Sequence, residues 1–158
     1  MMKYGIHYIL VDNSNIQFKN ILSVLNIENE KYFRFINMGD VLHPQTLEFE
    51  INIIKKYRDK IDLIYHDYIT FKNELPNFNL NKNNIKLINT KYILSNLNNI
   101  IESQIAFVIK KDFIKIINSI DKNKFISFNE ILYYFFHLIG IKKCNIVKVD
   151  AKYIGVNL

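Results

Sequence analysis

The chain has 158 residues, 49% of them hydrophobic and 23% charged, which suits one globular domain with a real core and excludes global disorder. Its formal net charge of +6 comes from a composition rich in Lys, Asn and Ile, and the lysines stand in pairs (Lys55-Lys56, Lys110-Lys111, Lys142-Lys143) and not in blocks. A solvated basic surface is the expectation, and a nucleic-acid partner is not favoured, because no nucleic-acid motif accompanies the charge.

Residues 6–11 (IHYILV) are a short apolar run that predicts a buried strand, closed by the polar turn 12–15. That run breaks at Asp12 and follows a single Lys, so no signal peptide is expected there, and no stretch approaches the ~20 apolar residues of a membrane span. The expectation is a cytoplasmic chain, with peripheral membrane contact left open. Residues 16–25 predict a short helix, and residues 32–36 (YFRFI) a second strand that stops at Asn37-Met38-Gly39-Asp40. Pro44 suits the first position of a helix. Across 46–57 the apolar Leu47, Ile51, Ile54 and Tyr57 recur at three- and four-residue steps, which predicts an amphipathic helix with acidic residues early and lysines late.

Residues 61–65 (IDLIY) predict a third strand, ended by His66-Asp67-Tyr68. Residues 71–99 contain Pro76 and repeated Asn, and predict a long loop with a short helix near 92–97. A fourth strand is expected at 106–109, helices at 111–120 and 129–139, and a last strand at 146–149. Cys144, the one cysteine, excludes an internal disulfide and a Cys-based zinc cluster, and its apolar surroundings predict a buried inert thiol. Strands alternating with helices argue for an α/β layered sheet. The four glycines are scattered, so no Gly-rich phosphate loop exists, and the four histidines show no metal-ligand spacing. His137, on the apolar 129–139 helix, reads as a core histidine.

Residues 35–44 (FINMGDVLHP) resemble the strand-turn-helix segment of family 2 glycosyltransferases of the GT-A fold, where a strand ends in Asp-x-Asp before an apolar pair and a Pro. Residues 62–68 (DLIYHDY) are similar to that family's D-L-V-Y-x-D-Y stretch. Residues 105–113 look like the strand and helix start after its acceptor loop, and Asn129-Glu130 stands where it carries an acidic pair. The tail 153–158 (YIGVNL) resembles its Y-R-x-x-x-N-x-S ending, so the resemblance covers roughly residues 32–158. Residues 9–14 (ILVDNS) are similar to the family's V-V-D-D-G-S strand end, but the long segment that normally follows is shortened.

The resemblance implies a GT-A-like, Rossmann-like sheet with flanking helices in a single domain over 1–158, with 1–31 as a reduced nucleotide-side part and 32–158 as the metal and acceptor side. The implied activity is transfer of a sugar from a nucleotide-sugar donor to a glycan or lipid-linked acceptor with inversion. Asp12 would hold the nucleotide base. Asn37 and Gly39 occupy the positions of the two motif aspartates, which leaves Asp40 as the nearby acid to hold Mn2+ or Mg2+ against the diphosphate. His43 would contact a phosphate and Asp67 would line the sugar site. Glu130 would act as the base, with Asn129 as its altered neighbour.

Each position also has a plainer reading. Residues 37–40 suit a turn before a helix, His43 suits packing where the helix begins, Asp67 suits a turn after a strand, and Glu130 suits a helix dipole. The alternative function is a non-catalytic GT-A-like module that binds a partner protein, which completes the fold, or a glycan.

Overall fold

The computed structural model describes residues 31–34, 36, 39–58, 60–78, 85–96, 106–112, 115, 137 and 144–157. In chain order these form β1 (Tyr32–Phe33), β2 (Val41–Leu42), α1 (Thr46–Lys56), β3 (Leu63–Phe71), β4 (Ile85–Ile88), α2 (Thr90–Ser95), β5 (Phe107–Lys110) and β6 (Ile146–Asn157). The architecture is mixed α/β. Six strands make one sheet in the order β1-β5-β3-β6-β2, with β4 also paired to β6. The β3–β6 pair is parallel and the other four pairs are antiparallel.

The central strands are the most apolar ones, as strands covered on both faces must be. Ile64, Val108, Val147 and Val149 pack with Ile53 of α1, and with Ala151, Tyr153, Ile154 and Val156 further along β6. Burying each such aliphatic side chain contributes about 1.5–3 kcal/mol. Residues that alternate with these point to the opposite face and are buried too: Leu63, Tyr65, Phe107, Ile109 and Ile146. There the Tyr65 and Phe107 rings stack at 5.0 Å.

The helix expected over 46–57 forms as α1, but it presents a different stripe. Its buried residues are Thr46, Glu50 and Ile53, while Leu47 is exposed and Ile51 and Ile54 are half-buried. Polar partners hold it in that rotation: the Thr46 hydroxyl donates to the Tyr153 carbonyl (3.2 Å) and to the His43 carbonyl (2.7 Å), and Glu50 meets Arg34 and His66.

Strand lengths also differ from expectation. β3 does not stop at Tyr65 but runs on to Phe71, and β6 continues past Val149 to Asn157, because each half of β6 finds a partner. β1 is shorter than expected, since Arg34 and Ile36 are not in the strand. The expected loop 71–99 contains β4, whose Ile85–Ile88 pairs with Ile146–Val149 of β6, and α2, which starts two residues earlier than expected. In α2 the Asn89 side chain caps the helix by accepting from the Tyr92 N–H (3.1 Å). Cys144 is half-buried and His137 is exposed, contrary to the core positions expected for both. The strand expected at 6–11, the helix at 16–25, and most of those at 111–120 and 129–139 lie outside the described residues.

Candidate functional site

Three polar groupings lie on or beside the β3–β6 pair. The first is at its carboxyl end, where Phe71 pairs with Asn157. The turn before β2 reaches this end: Gly39 has φ +96, and a Cβ there would sit 2.5 Å from the Asn157 side-chain nitrogen. Only glycine fits both the left-handed backbone and the close approach. The next residue, Asp40, accepts the Asn157 backbone N–H on its Oδ1 (3.1 Å). One step further on, His43 donates its N–H to the Tyr153 carbonyl (2.9 Å), and its Nδ1 accepts from the Gln45 N–H (3.2 Å). That bond leaves Nε2 to carry the proton of the neutral ring. The His43 ring lies edge-on to Phe78 at 5.3 Å and tilted to Tyr153 at 5.9 Å.

The second grouping sits where the β3–β6 register breaks. His66 pairs with Val149 and Tyr68 with Ile154, so Asp67 alone faces Asp150, Ala151, Lys152 and Tyr153. The surplus residues form a bulge, a feature common beside functional sites. Here Lys148 bridges Asp67 (3.1 Å) and Asp150 (2.8 Å), and Lys86 of β4 reaches the other Asp150 oxygen at 2.6 Å. Lys148 also stands 5.8 Å from the centre of the Tyr92 ring. Burial alone would lower the Lys148 ammonium, but the bonds from Asp150 and Asp67 outweigh it and hold it above its ordinary value. The Lys148 and Lys86 bonds hold Asp150 below the usual carboxylate range. Burial, and then the negative charge of Asp67, push the Tyr65 phenol up to about 12.

The third is internal. Arg34, just past β1, pairs through Nη2 with Oε1 of Glu50 on α1, and His66 of β3 brings its Nε2 within 2.8 Å of the same oxygen. The three side chains are 7%, 6% and 0% exposed. The His66 approach lies within ion-pairing distance but lacks hydrogen-bond geometry, and its Nδ1 has no hydrogen-bond partner. Burial holds the His66 ring below its ordinary value despite the opposing pull of Glu50, so the ring is neutral beside an Arg–Glu pair.

Of the residues singled out in the sequence, Asp40 therefore lies at the carboxyl end of β3–β6, His43 lies further back along β6 beside Tyr153, and Asp67 lies at the register break. Asp12, Asn37, Asn129 and Glu130 lie outside the described residues. Asp40 is the one carboxylate of its turn and already accepts an N–H, and among the described residues no group of three His, Cys, Asp or Glu gathers to hold a metal ion. These residues alone do not complete a site for Mn2+ or Mg2+.

The sequence did not point to Arg34, Glu50, His66, Lys86, Lys148 or Asp150. Glu50 carried the one readable signal, since it falls in step with Thr46 and Ile53. Among the described residues no helix is long and apolar enough to cross a membrane. Comparison with protein-family models and with curated proteins returns no match.

Proposed function

We propose that the chain is a glycosyltransferase-like protein that uses a nucleotide-sugar donor and a glycan or lipid-linked acceptor, on a reduced GT-A-like, Rossmann-like scaffold. One observation carries this reading: the Gly39-Asp40 turn and Asn157 meet at the carboxyl end of the parallel β3–β6 pair. In open α/β sheets that end is where ligands ordinarily bind. In this reading Asp40 faces the diphosphate, with Mn2+ or Mg2+ as its counter-ion, and the Nε2–H of His43 donates to a phosphate oxygen. Asp67, already oriented by Lys148, accepts from a sugar hydroxyl. Asp12 holds the base, Asn37 contacts the diphosphate, and Glu130 takes the acceptor proton beside Asn129. Fold likeness alone does not carry chemistry, so the reading rests on these positions.

Calorimetric titration of the chain with UDP and with GDP, with and without Mn2+, tests it. Binding in the micromolar range, about −8 kcal/mol, that weakens in Asp40→Ala is the expected result. No binding to either nucleotide under any condition would reject the donor site. A second reading, a non-catalytic module that binds a partner protein or glycan, is favoured by Gly39 at a motif position and by the engagement of Asp40 with Asn157. That module would bind neither nucleotide.

A further inference from the structure

The backbone of His43 is clamped between β6 and α1. Its N–H donates to the Tyr153 carbonyl (2.9 Å), and its own carbonyl accepts from the N–H (2.9 Å) and the hydroxyl (2.7 Å) of Thr46. The direction of the ring is then a matter of its side-chain torsions. The bond from the Gln45 N–H to Nδ1 is long, at 3.2 Å, and lies at the surface, where water competes for both groups. Two rings restrict the imidazole further. One is Tyr153, fixed in β6 and 5.0 Å from Phe49 of α1, and the other is Phe78, edge-on at 5.3 Å.

Phe78 comes from the segment that leaves β3. Residues 72–75 are exposed, and Asn73 takes a φ of +67, a left-handed conformation that asparagine tolerates and that turns the chain back. Pro76 then reaches Gly155. A Cβ on Gly155 would lie 2.7 Å from Pro76 Cγ, 2.7 Å from Val41 Cγ2 and 3.1 Å from Phe71 Cε1, so the missing side chain makes a notch that Pro76 fills. Val41 faces Gly155 within the β2–β6 ladder. Phe78 stands two residues beyond Pro76, and His43 two residues beyond Val41, so the segment follows β2 from the notch to the imidazole.

We propose that residues 72–78 form a strap that aims His43, with Pro76 in the Gly155 notch as its anchor and Phe78 as the positioning residue. While the strap is seated, the ring keeps Nδ1 on the Gln45 N–H and offers Nε2–H in one direction to a phosphate oxygen. When the strap lifts, the ring turns and water takes the Gln45 N–H. The phosphate ligand rests on the nucleotide-sugar reading, whereas the aiming of the ring does not.

The nitrogen–nitrogen scalar coupling across the Gln45–His43 hydrogen bond, measured by NMR on the intact chain with the imidazole neutral, tests the aiming. It should be present in the unaltered chain, lost in Phe78→Ala, and kept in Phe78→Tyr, which restores the ring. Leu75→Ala, on the part of the strap that is 80% exposed, should leave it unchanged. Gly155→Ala expels Pro76 while leaving Phe78 and His43 intact, and should lose the coupling too, which decides the matter if Phe78→Ala does not fold. No coupling in the unaltered chain, or a coupling that survives both Phe78→Ala and Gly155→Ala, would overturn the proposal. Calorimetric titration with UDP then tests the ligand. Phe78→Ala should weaken binding about tenfold, the worth of one hydrogen bond to a charged group, and unchanged affinity would overturn the phosphate role. If the unaltered chain binds no UDP, the donor-site reading fails, and the coupling alone still upholds or overturns the strap.

Discussion

Glu50→Ala removes the buried carboxylate that Arg34 and His66 share, and taking away one partner is the costly way to break such a pair. The expected loss of stability is about 3–5 kcal/mol, measured by urea unfolding. Replacing both partners, as in Arg34→Met with Glu50→Leu, should cost less than Glu50→Ala alone, because no charge is then stranded. A double variant at least as unstable as Glu50→Ala would show that the charges contribute a net stabilisation. The same contrast explains why the cluster escaped notice in the sequence. Each member is an ordinary polar residue, and its meaning comes from partners that only folding brings together, as with Lys148 and Asp67, 81 positions apart.

At the scale of elements, glycine at position 39 controls how the turn meets the end of β6. Gly39→Ala should destabilise the chain by about 1–3 kcal/mol, since a φ of +96 and a 2.5 Å approach to Asn157 both oppose a Cβ. Thermal unfolding checks this, and Asn157→Ala should recover part of the loss by clearing the contact. Element existence was readable where apolar periodicity was strong, as in α1 and the cores of β3, β5 and β6. The rotation of α1 was not, because Thr46 and Glu50 are buried by hydrogen bonds and charge, which a hydrophobic pattern does not register. β4 was missed because its four residues lie beside an Asn-rich stretch and depend on β6 for pairing. β6 looked shorter than it is because Asp150 and Lys152, at the register break, interrupt its apolar run. Of the candidate site, Asp40, His43 and Asp67 were reached through family resemblance, and periodicity did not mark them.

For the whole molecule, acid should lower stability in two stages. His66 is held below its ordinary value of 6.5, so the unfolded chain takes up that proton first. The stability it contributes is complete above 6.5 and is lost as pH falls from there towards its native value. Asp150, held below 3.8 by Lys148 and then Lys86, contributes stability that is present above 3.8 and lost as pH falls through its native value. Urea midpoints measured across pH should show the first decline vanish in His66→Gln and the second shrink in Asp150→Asn. A flat profile between about pH 6.5 and about pH 4 would contradict the first stage.

The placement of β6 bears on how the chain is made. It is the last described strand, yet it takes part in three of the five ladders, and its first residue Ile146 pairs with Leu63 far upstream. A ribosome delivers residues in order, so while β6 is still inside the exit tunnel, of the ladders among the described residues only β1–β5 and β3–β5 can close. Throughout that interval β2 and β4 lack the partner they have in the finished sheet, and one edge of β3 stays open. Unpaired apolar edges of this kind recruit chaperones or neighbouring nascent chains. Slow translation between β5 and β6 should therefore lower the yield of folded protein more than slow translation ahead of β1.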